Sequence, residues 1–113
     1  MENEYHDRRK FQRFLVSLPL RLLKIFSNVE HHCKTKDISP CGMGVIVNEE
    51  LKPHTRLEIW LEIPDGHEPL YTQGEVVWSE MIEPDIYAAG IALVKYDLIG
   101  MSRVVKLAHS QTS

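Results

Sequence analysis

Apolar and polar positions alternate along most of the chain with a period of two, the pattern of strands that bury one face. Phe14, Val16, Leu18, Leu20 and Leu22 alternate with Leu15, Ser17, Pro19 and Arg21. They predict a first strand with a kink or an edge position at Pro19, because proline cannot donate to a ladder. A more polar strand is expected over His31 to Asp37 and a short apolar one over Met43 to Val47. Leu57, Ile59, Leu61 and Ile63 alternate with Glu58, Trp60 and Glu62, and Pro64-Asp65-Gly66 supplies turn chemistry directly afterwards. Tyr71 to Glu80 reads as a fifth strand, with Gly74 marking a bulge or a bend, and Tyr87 to Val94 as a sixth. Six short strands at this spacing predict a mainly β domain, a small antiparallel barrel or sandwich.

The two ends depart from this pattern. The first dozen residues are polar and predict an exposed, flexible arm or a single helical turn. In the tail, Leu98, Met101, Val105 and Ala108 recur at three- and four-residue intervals behind Asp97, a good N-cap. A helix this short needs its apolar stripe packed against something, and the barrel itself is the expected surface, with association as the alternative. The expected organisation is one domain over 1–113: an arm (1–13), a barrel (14–96) and a C-terminal helix (97–109).

A chain of 113 residues buries roughly two thirds of its unfolded surface, enough for a core without disulfides or metal. Cys33 and Cys41 lack CxxC spacing and are expected as reduced thiols. His31, His32 and Cys33 are adjacent, so on a strand they point to opposite faces, and no further ligands follow at zinc-like spacing. Ser39, His54 and Asp65 have no nucleophile-elbow context, so neither an enzyme nor a resident cofactor is expected. Trp60 and Trp78 are expected to pack, although an exposed Trp60 on its charged strand face would mark a partner surface. His67 and His109 are expected at the solvated surface. The sequence shows no leader pattern and no apolar run near the length of a membrane span, which predicts a cytoplasmic protein without membrane insertion.

Charge narrows the choice of ligand. A net charge of −3 argues against a protein that coats a nucleic-acid polymer. Arg8, Arg9, Lys10 and Arg13 nevertheless cluster near the start, while glutamates populate the middle of the chain. A basic segment on an acidic body suits capture of one compact anion. Two short motifs sharpen this. Arg9 and Arg13 form an RxxxR pair, and Asp37-Ile38-Ser39-Pro40-Cys41-Gly42 fits [D/N]xSxxG. Guanidinium groups grip phosphate oxygens or a guanine edge and stack on flat rings. Asp37 and Ser39 sit two apart, so at a strand end both side chains are expected on one face. A carboxylate there accepts from guanine N–H donors, and a hydroxyl serves phosphate or ribose. Gly42 and Gly44 allow positive φ or a close approach of ligand to backbone. Each motif has an ordinary alternative: RxxxR is a solvated basic segment, and Asp-x-Ser-Pro is a turn that satisfies its own backbone donors.

Together, and in this order on a β pattern, they resemble the PilZ domain family. Arg9, Arg13, Asp37, Ser39 and Gly42 match its signature, and Gly74-Glu-Val-Val-Trp78 and Tyr87-Ala-Ala-Gly90-Ile91 resemble its later strands. The resemblance runs from Arg8 to about Tyr96. It implies a six-stranded antiparallel PilZ-type β-barrel, an N-terminal arm that folds over bound cyclic di-GMP, and a C-terminal helix. It further implies that the arginines contact phosphate and guanine and that Asp37 and Ser39 help to hold a guanine. In the family the residue before RxxxR bears on ligand number, so Arg8 predicts a stacked pair of cyclic di-GMP molecules per protomer. The expected function is a receptor that changes conformation on binding this messenger and regulates an unidentified downstream protein in motility, biofilm or exopolysaccharide processes. Homodimerisation through the C-terminal helix or Trp60 is a further expectation. The competing readings are a ligand-independent adaptor of pilus or motility assembly, which retention of the arginines disfavours, and a small RNA-binding barrel, for which exposed aromatics are too few.

Overall fold

The computed structural model describes residues 13–94 and 98–112. Six strands close into a barrel in the order β1-β2-β3-β6-β5-β4, every neighbouring pair antiparallel. They are β1 (Pro19–Lys24), β2 (Glu30–Ser39), β3 (Gly42–Val47), β4 (Arg56–Leu61), β5 (Leu70–Glu83) and β6 (Ile86–Leu93). One helix, α1 (Leu98–Thr112), follows. Of barrel and sandwich, the two architectures the strand spacing allowed, the chain adopts the barrel. No helix of the described residues is long and apolar enough to cross a membrane.

The period-two reading of the first segment is correct in its faces and too long in its ladder. Val16, Leu18, Leu20 and Leu22 are all buried, but regular pairing begins only at Pro19, and Phe14 makes an isolated bridge to Ile38. Between these points one backbone bond, from the Thr35 N–H to the Leu18 carbonyl (2.9 Å), is joined by a side chain. The buried Thr35 hydroxyl accepts from the Leu18 N–H (2.8 Å) and donates to the Val16 carbonyl (2.6 Å). Thr35→Val keeps the shape and leaves these two backbone groups unpaired. It is expected to lower unfolding free energy by ~1–3 kcal/mol, measured by urea denaturation; an unchanged midpoint would show that water or a backbone shift takes over the role.

The core is continuous, with Leu20, Leu22, Ile38, Val45, Leu57, Ile59, Leu61 and Val76 almost wholly inaccessible. Gly74 pairs regularly with Leu57 and Leu93, so of the bulge or bend expected at this glycine the bulge is absent. The irregularity falls further on, between Val76 and Trp78 and again between Met81 and Glu83. The helix also differs in phase. Met101 and Val104 are buried and Leu107 packs against the core, while Val105 is only half-buried. Stripes through 101, 105 and 108 or through 101, 104 and 107 both satisfy helical spacing, and tertiary contact selects the second. Asp97, the expected cap, lies outside the described residues.

One contact helps to fix that phase. Arg103 donates from Nε and Nη2 to the two Asp65 carboxylate oxygens (2.7 and 2.8 Å) and from Nη2 to the Glu68 carbonyl (2.8 Å), tying α1 to the β4–β5 turn. These hydrogen bonds hold the Asp65 carboxyl well below the usual carboxylate range, against a smaller opposing effect of burial. A carboxyl depressed in the folded state contributes its full stability above its unfolded range near pH 4 and loses it as pH falls further. The thermal-stability advantage of the native chain over Asp65→Asn should therefore shrink between about pH 5 and about pH 3. A constant advantage across that window would contradict the assignment.

Cys33 and Cys41 are both free thiols. Burial pushes the Cys33 thiol up to about 12, which favours its protonated form. Among the described residues no group of three His, Cys, Asp or Glu side chains could hold a metal ion.

Candidate ligand-binding site

Strands β2, β3, β6 and β5 are consecutive neighbours in the barrel, and their outer surface carries an open cleft of about 300 Å³. Arg13 and Asp37 border it on one side and Trp78 on the other, with Gly42, Gly44, Gly90 and Ala92 between them. The floor is shallow because these positions have little or no side chain.

The polar end is built around a bulge. The register of β2 against β3 shifts between Thr35 and Asp37, so Lys36 is the extra residue and also borders the cleft. Asp37 pairs with Gly44, and its Oδ1 accepts from the Gly44 N–H (3.0 Å) and from Arg13 Nη1 (2.5 Å). A side chain at position 44 would press on this carboxylate, since a Cβ there would stand 3.2 Å from Oδ1. The Arg13 side chain is 50% exposed and that of Asp37 19%. A pair so wet contributes ~0–1 kcal/mol, and an incoming anion can draw the guanidinium away at little cost. The segment that carries Arg13 is nonetheless held in place. Phe14 and Ile38 exchange both backbone hydrogen bonds (2.8 and 3.0 Å).

The apolar end is Trp78. Its indole lies on Gly90, where even a methyl group would overlap the ring, and the residue remains 44% exposed. Trp78 packs as expected, but on the outer face: the irregularity at Val77 turns it outward, whereas uninterrupted alternation from buried Val76 would have turned it in. Trp60 also packs on the outer face of the sheet, its ring 5.3 Å from that of Tyr71 and 5.0 Å from the Arg21 guanidinium.

The structure thus brings Arg13, Asp37 and Gly42 together at one cleft. Ser39 does not join them. Its side chain is buried, and its hydroxyl donates to the Gly42 carbonyl (3.3 Å) and lies 3.3 Å from Cys41 Sγ, inside the β2–β3 hairpin. This is the turn role of the motif, and Asp37 and Ser39 do not share an exposed face. Arg8 and Arg9 lie outside the described residues. Lys36 and Trp78 belong to the cleft although periodicity assigned them no part in it. The only hint in the sequence is that Gly44 and Gly90, which pair with each other across β3 and β6, leave room for neighbouring side chains to lie over them.

A family model for the PilZ domain matches residues 7–108, and the chain belongs to the PilZ domain family. No curated protein sequence matches it significantly. Among solved structures it is similar to the PilZ domain of YcgR from Escherichia coli, determined with c-di-GMP. The TM-score is 0.73 at 12% identity, over 93% of this chain and 94% of that one. The inhibitor of motility MotI/DgrA of Bacillus subtilis gives 0.71 at 12% identity, over 93% of this chain and 51% of that one. PlzA of Borreliella burgdorferi in complex with c-di-GMP gives 0.67 at 17% identity, over 95% and 43%. The chain therefore spans about half the length of MotI/DgrA and less than half of PlzA. At these identities the likeness is one of fold.

Proposed function

We propose that this chain is a receptor for cyclic di-GMP that performs no chemistry on it. The observation that carries the proposal is the cleft itself: a releasable guanidinium at one end, an exposed indole at the other, and a glycine floor between. Arg13 binds phosphate or a guanine edge, and Arg9, its RxxxR partner, supplies the second guanidinium. Asp37, relieved of Arg13, accepts from guanine N–H donors, and Trp78 offers a face on which a base can stack. Gly42 leaves the ligand close to the backbone, and Ser39 acts by holding the hairpin that presents it. That YcgR and PlzA were determined with c-di-GMP supports the choice of ligand.

Ligand that draws the arginine segment onto the barrel changes the surface offered to a downstream protein, and control of motility is the process that MotI/DgrA favours by analogy. The reduced thiols accord with action in the cytoplasm. The site is testable without locating any partner: in Trp60→Phe the remaining indole fluorescence reports Trp78 alone, and it should change saturably with cyclic di-GMP. An unresponsive indole under conditions where ligand binds by another method would remove Trp78 from the site.

Arg8 adds a third guanidinium beside the pair, and with it the chain is expected to take two stacked ligands per protomer. Calorimetry should give a stoichiometry near two for the native chain and near one for Arg8→Ala. A native value of one would end this part of the proposal.

A further inference from the structure

β5 is longer than its neighbour on one side can cover. Its pairing with β4 ends at Arg56 and Glu75, and the last backbone bonds on that edge join Val76 to His54 and Thr55 (2.8 and 2.9 Å). From Val77 to Glu83 the strand pairs with β6 alone, and among the described residues no other strand takes the second edge. Side chains are exposed on both faces there: Val77, Met81 and Ile82 are each more than half accessible, and Ile86 across the turn is 37% exposed. The two irregularities of β5 sit at the ends of this segment, leaving Trp78 to Met81 in regular register. In the same stretch the Ser79 hydroxyl is buried without a hydrogen-bond partner among the described residues.

An unpaired edge flanked by exposed apolar side chains is a template for another extended segment, and native edge strands are commonly protected by lysine or proline. Here neither stands within the edge, whose guards are two glutamates and the irregularities at its ends, so an occupant must be basic and must fit the regular stretch between them. From Glu75 to Val94 the chain carries Glu75, Glu80, Glu83 and Asp85 and no lysine or arginine. We propose that the free edge of β5, Val77 to Glu83, is a docking strand for a partner protein that adds an extended segment of alternating basic and apolar residues.

The charge selects the occupant. A second copy pairing through the same edge would set Glu80 and Glu83 of one chain against those of the other, and like charges across strands oppose association. A basic segment converts the same carboxylates into cross-strand ion pairs, while its apolar positions cover Met81 and Ile82. Main-chain bonds supply affinity, and the side chains supply selectivity. This inference requires no cyclic di-GMP, although the docking strand begins with Val77 and Trp78, which also border the proposed ligand cleft.

The test is a titration of the full chain with a synthetic peptide of about ten residues, a common strand length, alternating lysine and valine, with amide hydrogen exchange read residue by residue. Saturable binding should slow exchange within Val77–Glu83 by about tenfold or more, and the double variant Glu80→Lys/Glu83→Lys should weaken binding at least about tenfold. A lysine–serine peptide of equal charge should give no such protection, and this control holds even if the variant is unstable. No protection by the lysine–valine peptide, or equal protection by both peptides, would overturn the proposal. Edge amides already protected in the free chain would also overturn it: in a sedimenting dimer the occupant is a second copy, and in a monomer it is another part of the same chain.

Discussion

Replacing Arg9 and Arg13 together by alanine is expected to abolish measurable binding of cyclic di-GMP while leaving the barrel intact. A charge-assisted hydrogen bond is worth ~1.5–3 kcal/mol, so each guanidinium should contribute about 10- to 150-fold in affinity. Two arginines acting on one ligand need not add; where they do, the lower figure for each places the double variant about two orders of magnitude weaker. Stability should scarcely change, because the interaction Arg13 gives up is a half-exposed ion pair with Asp37, worth at most ~1 kcal/mol. Calorimetry and urea denaturation on the same preparation separate the two effects. A variant that binds within about threefold of the native chain would mean that the arginines are a solvated basic segment.

Ile38→Ala, by contrast, should damage the fold. Ile38 is fully buried, and its main chain holds Phe14 through two hydrogen bonds, one residue from Arg13. Loss of a buried isoleucine to alanine costs ~2–5 kcal/mol, combining transfer and cavity terms, and stability here should fall by that amount in urea denaturation. Ligand affinity should fall as well, because a loosened Ile38 no longer fixes the entry of the arginine segment. A loss below about 1 kcal/mol would show that the barrel collapses around the deletion.

Both variants probe residues of the short motifs, and the motifs were legible only in part. Alternation from Phe14 to Leu22 reported the buried face correctly, since side-chain direction depends on the local pleat alone. It could not report where the ladder begins, because that depends on Thr35, which lies on another strand and substitutes for backbone pairing. Lys36 and Trp78 were missed because both sit at irregularities of register: Lys36 is the inserted residue of the β2 bulge, and Trp78 follows the one at Val77, which shifts it to the opposite face. Ser39 shows the converse. Its place in [D/N]xSxxG suggested an exposed hydroxyl beside Asp37, yet the strand ends at the hairpin and the hydroxyl turns inward to close it. The helix was legible as a helix and not in its phase, which Arg103 and Asp65 help to set from distant parts of the chain. The free edge of β5 was legible only as an excess of glutamate, because the sequence does not state where β4 stops.

The most direct measurement is calorimetric titration of the native chain with cyclic di-GMP. The receptor reading predicts saturable binding at micromolar or tighter dissociation constants, with two ligands per chain. No heat, together with no binding by a second method, would contradict it and leave a PilZ barrel that acts on its partners without this ligand.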